Sequence, residues 1–382
     1  MQKELGVGIV GWGFIGKVHT YAYLNLPLFY QPSPAKVKLV GVCTAHEATA
    51  KQAKKIAGFQ FATTSYQDLL EREDIDIINC CTPNYLHRDI LVSALKAGKH
   101  VYCDKPLAIN LHQAKEILNV AEKSSSVHQM TFEYRFIPAI MRAKKLIDEG
   151  FLGKVFSFRG CYLHSGYIDP SRPMSWRLDK KKAGGGALFD LGSHVLDLIR
   201  HLLGEYRAVF AKSYTFIKER PLPEDLTEKA KVEVDDISFL QIEMENGAAG
   251  SVEVSRLATG TNDELRIEIH GSKGAIYFNL MDPNWLWVYD TKDPEKPIGG
   301  LRGFKKIETV QRYPEPAFLP GPKFSIGWMR YHIASQFDFV TRIVEDKKGN
   351  PGFYDGYKVQ EVMEAAQISA RKRRWVNLDE LK

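Results

Sequence analysis

The feature that most constrains this chain lies near its start, where an apolar strand pattern runs directly into a glycine-rich turn. Residues 5–10 read LGVGIV, and Gly11, Gly13 and Gly16 follow with the spacing Gly-x-Gly-x-x-Gly before a helical pattern begins. In a βαβ unit the first glycine allows the tight bend, the second lets the backbone approach a pyrophosphate, and the third permits close helix packing. The helix N-terminus offers N–H donors to phosphate oxygens. The turn therefore predicts a dinucleotide-binding domain.

The alternation of strand and helix continues to residue 132. Strand-like runs at 37–43, 59–62, 75–81, 100–103 and 127–132 are separated by helical patterns that include 47–57, 86–96 and 110–122. This alternation predicts an α/β domain with a doubly wound parallel sheet, whose apolar strands are covered on both faces. In such folds the ligand lies beyond the carboxyl ends of the strands. The turns that follow the strands are therefore the candidate cofactor site.

The turn after the second strand leaves the choice of dinucleotide open. It reads Thr44-Ala45-His46, where an NAD enzyme typically carries Asp or Glu for the ribose hydroxyls. The missing acid removes a repulsion against a 2′-phosphate, but no arginine stands there to bind one. NAD and NADP both remain compatible, and Thr44, His46 or Lys51 are the candidate phosphate contacts.

Two further turns carry polar residues toward the same edge of the sheet. The fourth strand ends in Thr82-Pro83-Asn84, and the fifth ends in Asp104-Lys105-Pro106. A lysine at a strand's buried end, followed by a proline, is unlike an ordinary surface charge, although an ion pair with Asp104 is the structural alternative. The candidate cofactor-binding residues are Gly11, Gly13, Phe14, Ile15, Gly16, Thr44, His46, Thr82, Pro83, Asn84, His87, Asp104 and Lys105.

A second candidate site lies in residues 184–197, which read GGGALFDLGSHVLD. Asp190, His194 and Asp197 are spaced i, i+4 and i+7, so they share one stripe of a predicted helix that is otherwise apolar. Such a helix should be buried over most of its circumference. The polar stripe then either makes internal hydrogen bonds or lines a cleft, and Asp197, one turn deeper, is expected to cap or pair internally.

Length and composition set further limits. A chain of 382 residues is too long for one ordinary core, and we expect two domains, at residues 1–132 and 133–382. The net charge of +6 without a long basic stripe argues against a nucleic-acid partner. No leader-like pattern and no apolar run near about 18 residues is present, so no membrane partner is expected. Five scattered cysteines, without Cys-x-x-Cys spacing, favour a cytoplasmic location.

Several segments in this order resemble one known family. They are CTPNYLH at 81–87, AGKHVYCDKPLA at 97–108, YRFIPA at 134–139, WRLDKKKAGGGALFDLGSHVLDL at 176–198 and EIHGSKGAI at 268–276. With the glycine turn, they resemble the Gfo/Idh/MocA family of glucose–fructose oxidoreductase, inositol dehydrogenase and rhizopine-catabolism proteins. Two departures are the Asp104-Lys105-Pro106 segment, where the family has Glu-Lys-Pro, and the missing acid after the second strand.

The resemblance implies an N-terminal Rossmann domain and an α+β C-terminal domain with a large, open, mostly antiparallel sheet. In the family the outer face of that sheet commonly forms a dimer, and dimers often pair into tetramers. Strand-like runs at 154–163, 207–217, 237–245, 249–256, 264–270 and 274–279 agree with such a sheet. Few helices intervene, so part of the sheet needs cover from elsewhere. We therefore expect a homodimer or homotetramer formed through the C-terminal sheet.

The resemblance also implies an NAD(P)-dependent oxidoreductase that transfers hydride to or from a sugar, sugar derivative or cyclitol, with Lys105, Asp190 and His194 as catalytic residues. Histidine suits proton transfer near neutrality, and lysine can stabilise charge on the reacting oxygen. Asp190 can orient the imidazole, bind a neighbouring hydroxyl, or both. The candidate substrate-binding residues are Lys105, Tyr134, Arg135, Tyr162, His164, Trp176, Arg177, Asp190 and His194. For Tyr134 and Arg135 a domain-interface role is the alternative, and no metal site is expected.

Two other functions remain compatible with the sequence. One is a glycosidase of the same fold that oxidises its substrate transiently and keeps the cofactor bound. The other is a non-catalytic sugar or dinucleotide sensor. The presence of Lys105, Asp190 and His194 argues against the sensor, because a sensor has no need of a proton-transfer group beside a hydride acceptor.

Overall fold

The computed structural model describes residues 2–381, and the chain divides into two compact units. The first unit comprises Met1–Phe136, Tyr313–Gly321 and Gly327–Gln360. The second comprises Ile137–Arg312, Pro322–Ile326 and Glu361–Lys382. None of the helices in the described part of the chain is long and apolar enough to cross a membrane.

The first unit is built on a parallel sheet of six strands. The strands are β1 (Glu4–Val10), β2 (Lys36–Cys43), β3 (Phe61–Thr63), β4 (Ile77–Cys80), β5 (His100–Cys103) and β6 (His128–Met130). They lie in the order β3-β2-β1-β4-β5-β6, and every pair is parallel. The helices between them are α1 (Phe14–Phe29), α2 (Glu47–Ala57), α3 (Gln67–Leu70), α4 (His87–Lys96) and α5 (Leu111–Ala121). The predicted doubly wound α/β fold is confirmed, with its switch point between β1 and β4.

The second unit begins with the helices that pack on its sheet. They are α6 (Pro138–Asp148), α7 (Lys180–Ala183), α8 (Ala187–Asp190) and α9 (Gly192–Leu203). Its strands are β7 (Val155–Leu163), β8 (Tyr206–Tyr214), β9 (Glu219–Pro221), β10 (Lys229–Lys231), β11 (Ile237–Met244), β12 (Ala249–Ser255), β13 (Glu264–Gly271), β14 (Gly274–Asn279), β15 (Trp285–Asp290), β16 (Lys305–Glu308) and β17 (Val376–Asn377). Two long helices follow β16 in the chain, α10 (Trp328–Val344) and α11 (Phe353–Lys372).

Nine of these strands form one large sheet in the order β16-β15-β14-β13-β7-β12-β11-β8-β17, and β9 and β10 form a separate pair. Only β7 and β12 are parallel neighbours among the described strands of the large sheet. The predicted mostly antiparallel C-terminal sheet is therefore confirmed. Helix α9 packs on one face, against β7, β12 and β13. On the other face β11 presents Phe239 and Gln241 to solvent, because side chains alternate along a strand.

Helix α10 belongs to the first unit although it lies far along the chain. It packs on α1, and its residues Ile333, Phe339 and Val340 join the core that contains Leu5, Val7, Ile9, Ala22, Tyr23 and Leu26. The division at residue 132 expected from the sequence placed this helix in the C-terminal domain. This packing joins segments far apart in the chain, and a division based on strand–helix alternation does not include it.

Candidate active site

The glycine turn at the end of β1 leaves open space at one of its three glycines. Gly11 has φ +90°, and a Cβ there would lie 2.6 Å from the carbonyl oxygen of Cys81. A Cβ at Gly16 would lie 2.2 Å from the carbonyl oxygen of Gly11. A Cβ at Gly13 would meet nothing within 4 Å. The first and third glycines are thus required by packing, and the second faces open space beside a helix N-terminus.

This open space fits the pyrophosphate of a dinucleotide. Gly13 is the N-cap of α1 and has no side chain to cap it, so the N–H groups of the first turn are left for a ligand. No acidic residue occupies that first turn. Phe14 is exposed and stacks on Trp328 at 5.6 Å between ring centroids, while Ile15 is half-buried.

At the turn after β2, two of the three side chains that could contact a 2′-phosphate are already engaged. Thr44 is buried, and its hydroxyl donates a hydrogen bond to the carbonyl oxygen of His46 at 2.8 Å. His46 is exposed at the N-cap of α2. Lys51 forms an ion pair with Glu47 at 2.6 Å, one turn earlier on the same helix. None of these contacts adds a cation at the turn itself.

The turns after β4 and β5 are tied together by His87. Its ring is fully buried, with Nδ1 3.0 Å from the carbonyl oxygen of Pro106 and Nε2 3.0 Å from that of Thr82. Pro83 is half-buried and Asn84 is buried at the start of a short 3-10 turn, Asn84–Leu86. Asp104 and Lys105 are half-buried. Because β1, β4 and β5 are parallel neighbours, the structure brings these turns and the glycine turn to one edge of the sheet.

In the second unit the three consecutive glycines are explained by local packing. Gly184 ends α7 with φ +82°. A Cβ at Gly186 would lie 1.8 Å from the carbonyl oxygen of Asp235. The carboxylate of Asp235 accepts hydrogen bonds from the N–H groups of Gly186 and Leu188, both at 2.8 Å, and so caps the start of α8. The glycines thus let a loop dock against Asp235 and begin the helix that carries Asp190.

The single helix predicted over this segment is interrupted. Asp190 is the last residue of α8, and His194 lies in the first turn of α9, with Leu191 between the two helices. The expectation of one continuous helix is therefore wrong at Leu191. Asp190 keeps 29% of its side-chain surface, whereas His194 keeps only 6% of its surface. Asp197 is buried in α9, and its charge adds to the burial that raises the pKa of Tyr206 well above the ordinary tyrosine value.

A buried arginine holds the carboxylate of Asp190. Nη2 of Arg256 lies 2.9 Å from Oδ2 of Asp190, and only 2% of the arginine side chain is exposed. Its guanidinium also stacks over the ring of Tyr167 at 4.7 Å. Burial alone would strongly lower the pKa of Arg256, but Asp190, Tyr167 and Asp235 together outweigh burial and raise that pKa. Sequence reasoning missed Arg256, because an isolated arginine after a strand gives no signal.

Of the remaining predicted substrate-binding residues, Tyr162 contacts His194. Their rings meet edge to face, with 5.9 Å between the ring centroids. The Tyr162 hydroxyl donates to Asp263 at 2.6 Å. Nδ1 of His164 accepts from the N–H of Gly166 at 2.9 Å. The Arg177 guanidinium stacks over the ring of Trp176 at 4.5 Å, and both side chains are half-buried.

Tyr134 and Arg135 are buried within the first unit. The Arg135 guanidinium forms an ion pair with Asp355 at 3.0 Å and contacts the side-chain oxygen of Asn350 at 3.3 Å. The ring of Tyr134 meets that of Tyr331 edge to face at 6.3 Å. These contacts give both residues a structural role, and their contact with substrate stays a prediction.

Comparisons with known proteins agree with this geometry. Residues 5–132 match the Gfo/Idh/MocA family model described as an oxidoreductase family with an NAD-binding Rossmann fold, and residues 140–277 match the family's C-terminal domain. Levoglucosan dehydrogenase of Pseudarthrobacter phenanthrenivorans is 37% identical over the full length of both chains. Inositol 2-dehydrogenase of Rhizobium meliloti is 30% identical, covering 97% of this chain and 98% of its own. The solved levoglucosan dehydrogenase–NADH complex matches with a TM-score of 0.94 and 38% identity, covering 98% of this chain and 99% of its own.

Proposed function

Because the chain belongs to the Gfo/Idh/MocA family of NAD-binding oxidoreductases, we propose that it is an NAD-dependent dehydrogenase or reductase acting on a CH–OH carbon of a sugar, sugar derivative or cyclitol. The observation that carries this proposal is the geometry of the turn after β1. A Cβ at Gly11 or Gly16 would collide with backbone atoms, whereas a Cβ at Gly13 would face open space. This is the arrangement that a pyrophosphate requires. The bound dinucleotide supplies or accepts the hydride.

We assign the proton on the reacting oxygen to Lys105 and His194. An imidazole can take a hydroxyl proton near neutral pH and return it in the reverse direction. The lysine ammonium donates a hydrogen bond to the same oxygen and stabilises negative charge as the proton leaves. Asp190 binds a neighbouring hydroxyl or orients the imidazole, with Arg256 fixing the direction of its carboxylate.

The contacts after β2 support NAD over NADP. A 2′-phosphate needs a cation, and Lys51 is ion-paired with Glu47 while the Thr44 hydroxyl donates to the backbone of His46. The carboxylate of Glu47 in the first turn of α2 would repel a phosphate there. The family description and the NADH complex of the levoglucosan dehydrogenase relative point the same way.

For the substrate, the first candidate is levoglucosan. The relative with that activity spans the whole chain at 37% identity, and its solved structure matches nearly the whole length of this chain. An inositol dehydrogenase relative at 30% identity makes myo-inositol the second candidate. The half-buried ring of Trp176 supplies an apolar face suited to a sugar ring.

The test is a substrate panel followed at the nicotinamide absorbance. Levoglucosan, myo-inositol, scyllo-inositol, glucose and L-sorbose are each assayed with NAD and with NADP, and the reverse reaction is assayed with NADH. We expect NAD-linked oxidation of at least one cyclic polyol and a higher kcat/KM with NAD than with NADP. Release of sugar from an aryl glycoside without net NADH formation would instead identify the transient-oxidation glycosidase.

We also propose that the solvent-facing side of the nine-stranded sheet forms a homodimer. This face exposes Tyr214 and Phe239, at 42% and 43% of their surfaces and with their ring centroids 6.4 Å apart, beside the charged side chains of Arg159, Glu253 and Glu268. Helices α6, α8 and α9 cover the opposite face. Exposed aromatic residues on an otherwise polar sheet face are typical of a subunit interface.

A further inference from the structure

Three fully buried side chains from separate elements of the first unit meet beneath the turns after β4 and β5. Cys80 ends β4, Cys103 ends β5 and His87 begins α4. The two cysteines are register partners on adjacent parallel strands, so their side chains point to the same side of the sheet. Both sulfurs and a ring nitrogen lie within 4.8 Å of one another. Within residues 2–381 no other set of three His, Cys, Asp or Glu side chains is gathered in this way.

The surroundings of the His87 ring cannot satisfy both nitrogens of a neutral imidazole. Both of its nitrogens lie 3.0 Å from backbone carbonyl oxygens, those of Pro106 and Thr82. A neutral imidazole has only one N–H, so one nitrogen lone pair must face a carbonyl oxygen. When Nε2 donates to Thr82, that lone pair is on Nδ1, which also lies 3.7 Å from Sγ of Cys103. A cation between Nδ1 and the sulfurs would remove the repulsion.

The distance between Cys103 Sγ and His87 Nδ1 agrees with ligation of one metal ion. Bond lengths of about 2.3 Å to sulfur and about 2.0 Å to nitrogen place tetrahedral ligand atoms about 3.5 Å apart. The sulfur-to-nitrogen distance of 3.7 Å is close to that value. Two thiolates and one imidazole form a soft donor set that favours Zn²⁺ and related ions over Mg²⁺ or Ca²⁺.

Partners of the outer shell are also present. Nε2–H of His87 can donate to the carbonyl oxygen of Thr82, which fixes the ring orientation as in known metal-binding histidines. The Thr82 hydroxyl lies 3.4 Å from Sγ of Cys80 and can donate to a thiolate there. The thiol of Cys103 contacts the carbonyl oxygen of Asp104 at 3.0 Å, and this contact is exchanged for the metal when the thiol loses its proton.

We propose that Cys80, His87 and Cys103 form a site for one thiophilic divalent cation, with Zn²⁺ as the first candidate. Both sulfurs bind as thiolates and Nδ1 binds as a neutral nitrogen, so binding releases two thiol protons. The ion connects β4, β5 and α4 and is structural, because none of its ligands is assigned a proton-transfer role. The proposal opposes the sequence-based expectation of no metal site. Residues 80, 87 and 103 have no zinc-motif spacing, and only the parallel pairing of β4 and β5 brings them together.

The experiment expresses the full chain in medium supplemented with Co²⁺, so that the ion is present while the buried site forms. We expect one cobalt ion per chain and a sulfur-to-cobalt charge-transfer band in the absorption spectrum. The variants Cys80→Ser and Cys103→Ser should each lose the band and the bound metal. The matched control is Cys43→Ser, which removes a buried thiol at the end of β2 in the same sheet and should keep both.

X-ray absorption of the zinc-loaded unmodified protein tests the same ligand set without any variant. We expect two sulfur and at least one imidazole scatterer around the ion. Absence of bound metal, oxygen and nitrogen ligands only, or equal loss in Cys43→Ser would overturn the proposal. So would a metal-free protein in which Cys80 and Cys103 instead form a disulfide. Metal content is measured independently of turnover, so failure here leaves the dehydrogenase proposal intact, and the reverse also holds.

Discussion

At the scale of single residues, the contact between Arg256 and Asp190 joins a buried cation to a candidate catalytic carboxylate. We predict that Arg256→Gln lowers the unfolding free energy by about 2–3 kcal/mol, because a charge partner is lost in a site with little solvent. It should also lower kcat about tenfold or more, since Asp190 is no longer held in place. Urea unfolding and steady-state kinetics with the substrate identified by the panel measure the two effects.

Arg172, which contacts the same tyrosine ring as Arg256, provides a control for this variant. Arg172 stacks over Tyr167 at 4.2 Å but is exposed, and Arg172→Gln should change stability by less than about 0.5 kcal/mol. The double variant Arg256→Gln/Asp190→Asn should be closer in stability to Arg256→Gln than the sum of the single effects predicts. Strict additivity would show that the two side chains act independently and would remove Arg256 as a positioning residue.

The assignment of His194 as proton acceptor gives a second prediction. His194→Ala should lower kcat by about 10²–10⁴-fold, the usual contribution of general acid–base catalysis. NADH affinity, measured by fluorescence titration, should change little, because the dinucleotide turn lies in the other unit. The control is His112→Ala, whose side chain is 83% exposed on α5. Unchanged turnover in His194→Ala would exclude the proposed role.

At the scale of secondary-structure elements, a substitution in the turn between β1 and α1 should affect dinucleotide affinity without affecting stability. Gly13→Ala adds a methyl group that meets no atom within 4 Å, at an ordinary φ of −78°. We predict nearly unchanged stability but a dinucleotide Kd raised about tenfold or more, a cost of about 1.4 kcal/mol, because the methyl group occupies the approach to the pyrophosphate.

The matched control is Gly327→Ala. Gly327 is the N-cap of α10, and a Cβ there also meets nothing within 4 Å. This variant should keep both its stability and its Kd for NADH. If Gly13→Ala bound NADH as tightly as Gly327→Ala does, the pyrophosphate would lie elsewhere.

The elements that the sequence predicted well are those set by local patterns. The strand–glycine–helix unit at the start and the alternating strands β7, β11 and β12 follow from side-chain periodicity alone.

The break at Leu191 could not be predicted, because Leu191 is apolar and keeps a helical backbone conformation, so nothing in the local pattern marks it. The pairing of Arg256 with Asp190 spans 66 positions and depends on how β12 lies beside α8. Strands β15 and β16 were missed because a loop containing proline and aspartate precedes each short run.

At the scale of the whole molecule, buried histidines make stability depend on pH. Burial lowers the pKa of His128 to about 4, and its Nδ1 accepts the N–H of Phe353. Between about pH 6.5 and pH 4 the unfolded chain binds a proton that the folded chain does not. We therefore predict that stability falls as pH falls through this window, by up to about 3 kcal/mol for this residue.

Urea unfolding at several pH values tests this dependence. His128→Gln should weaken the loss of stability between pH 6.5 and pH 4, even if it lowers stability at pH 7. His112→Ala serves again as the exposed control and should leave the pH dependence unchanged. An identical pH slope in His128→Gln and the unmodified protein would show that His128 titrates normally in the folded state.

The proposed homodimer gives the last prediction at this scale. Phe239→Glu places a charge in the exposed aromatic face of the sheet and should shift the protein toward the monomer in light-scattering measurements. Tyr85→Glu, which is exposed to a similar degree in the first unit, should leave the mass unchanged. A monomeric unmodified protein would contradict the proposed interface.

The late position of α10 in the chain has a consequence for biosynthesis. Tyr30 stacks on Phe337 at 3.6 Å, and Arg330 donates to the Tyr30 hydroxyl at 2.9 Å, so the core beside α1 is completed by residues near the far end of the chain. A ribosome adding about 5–20 residues per second needs on the order of 10–40 s to travel from the sixth strand to this helix. During that interval the nascent nucleotide-binding half carries an uncovered apolar surface, which makes it a natural client for chaperones that act during translation.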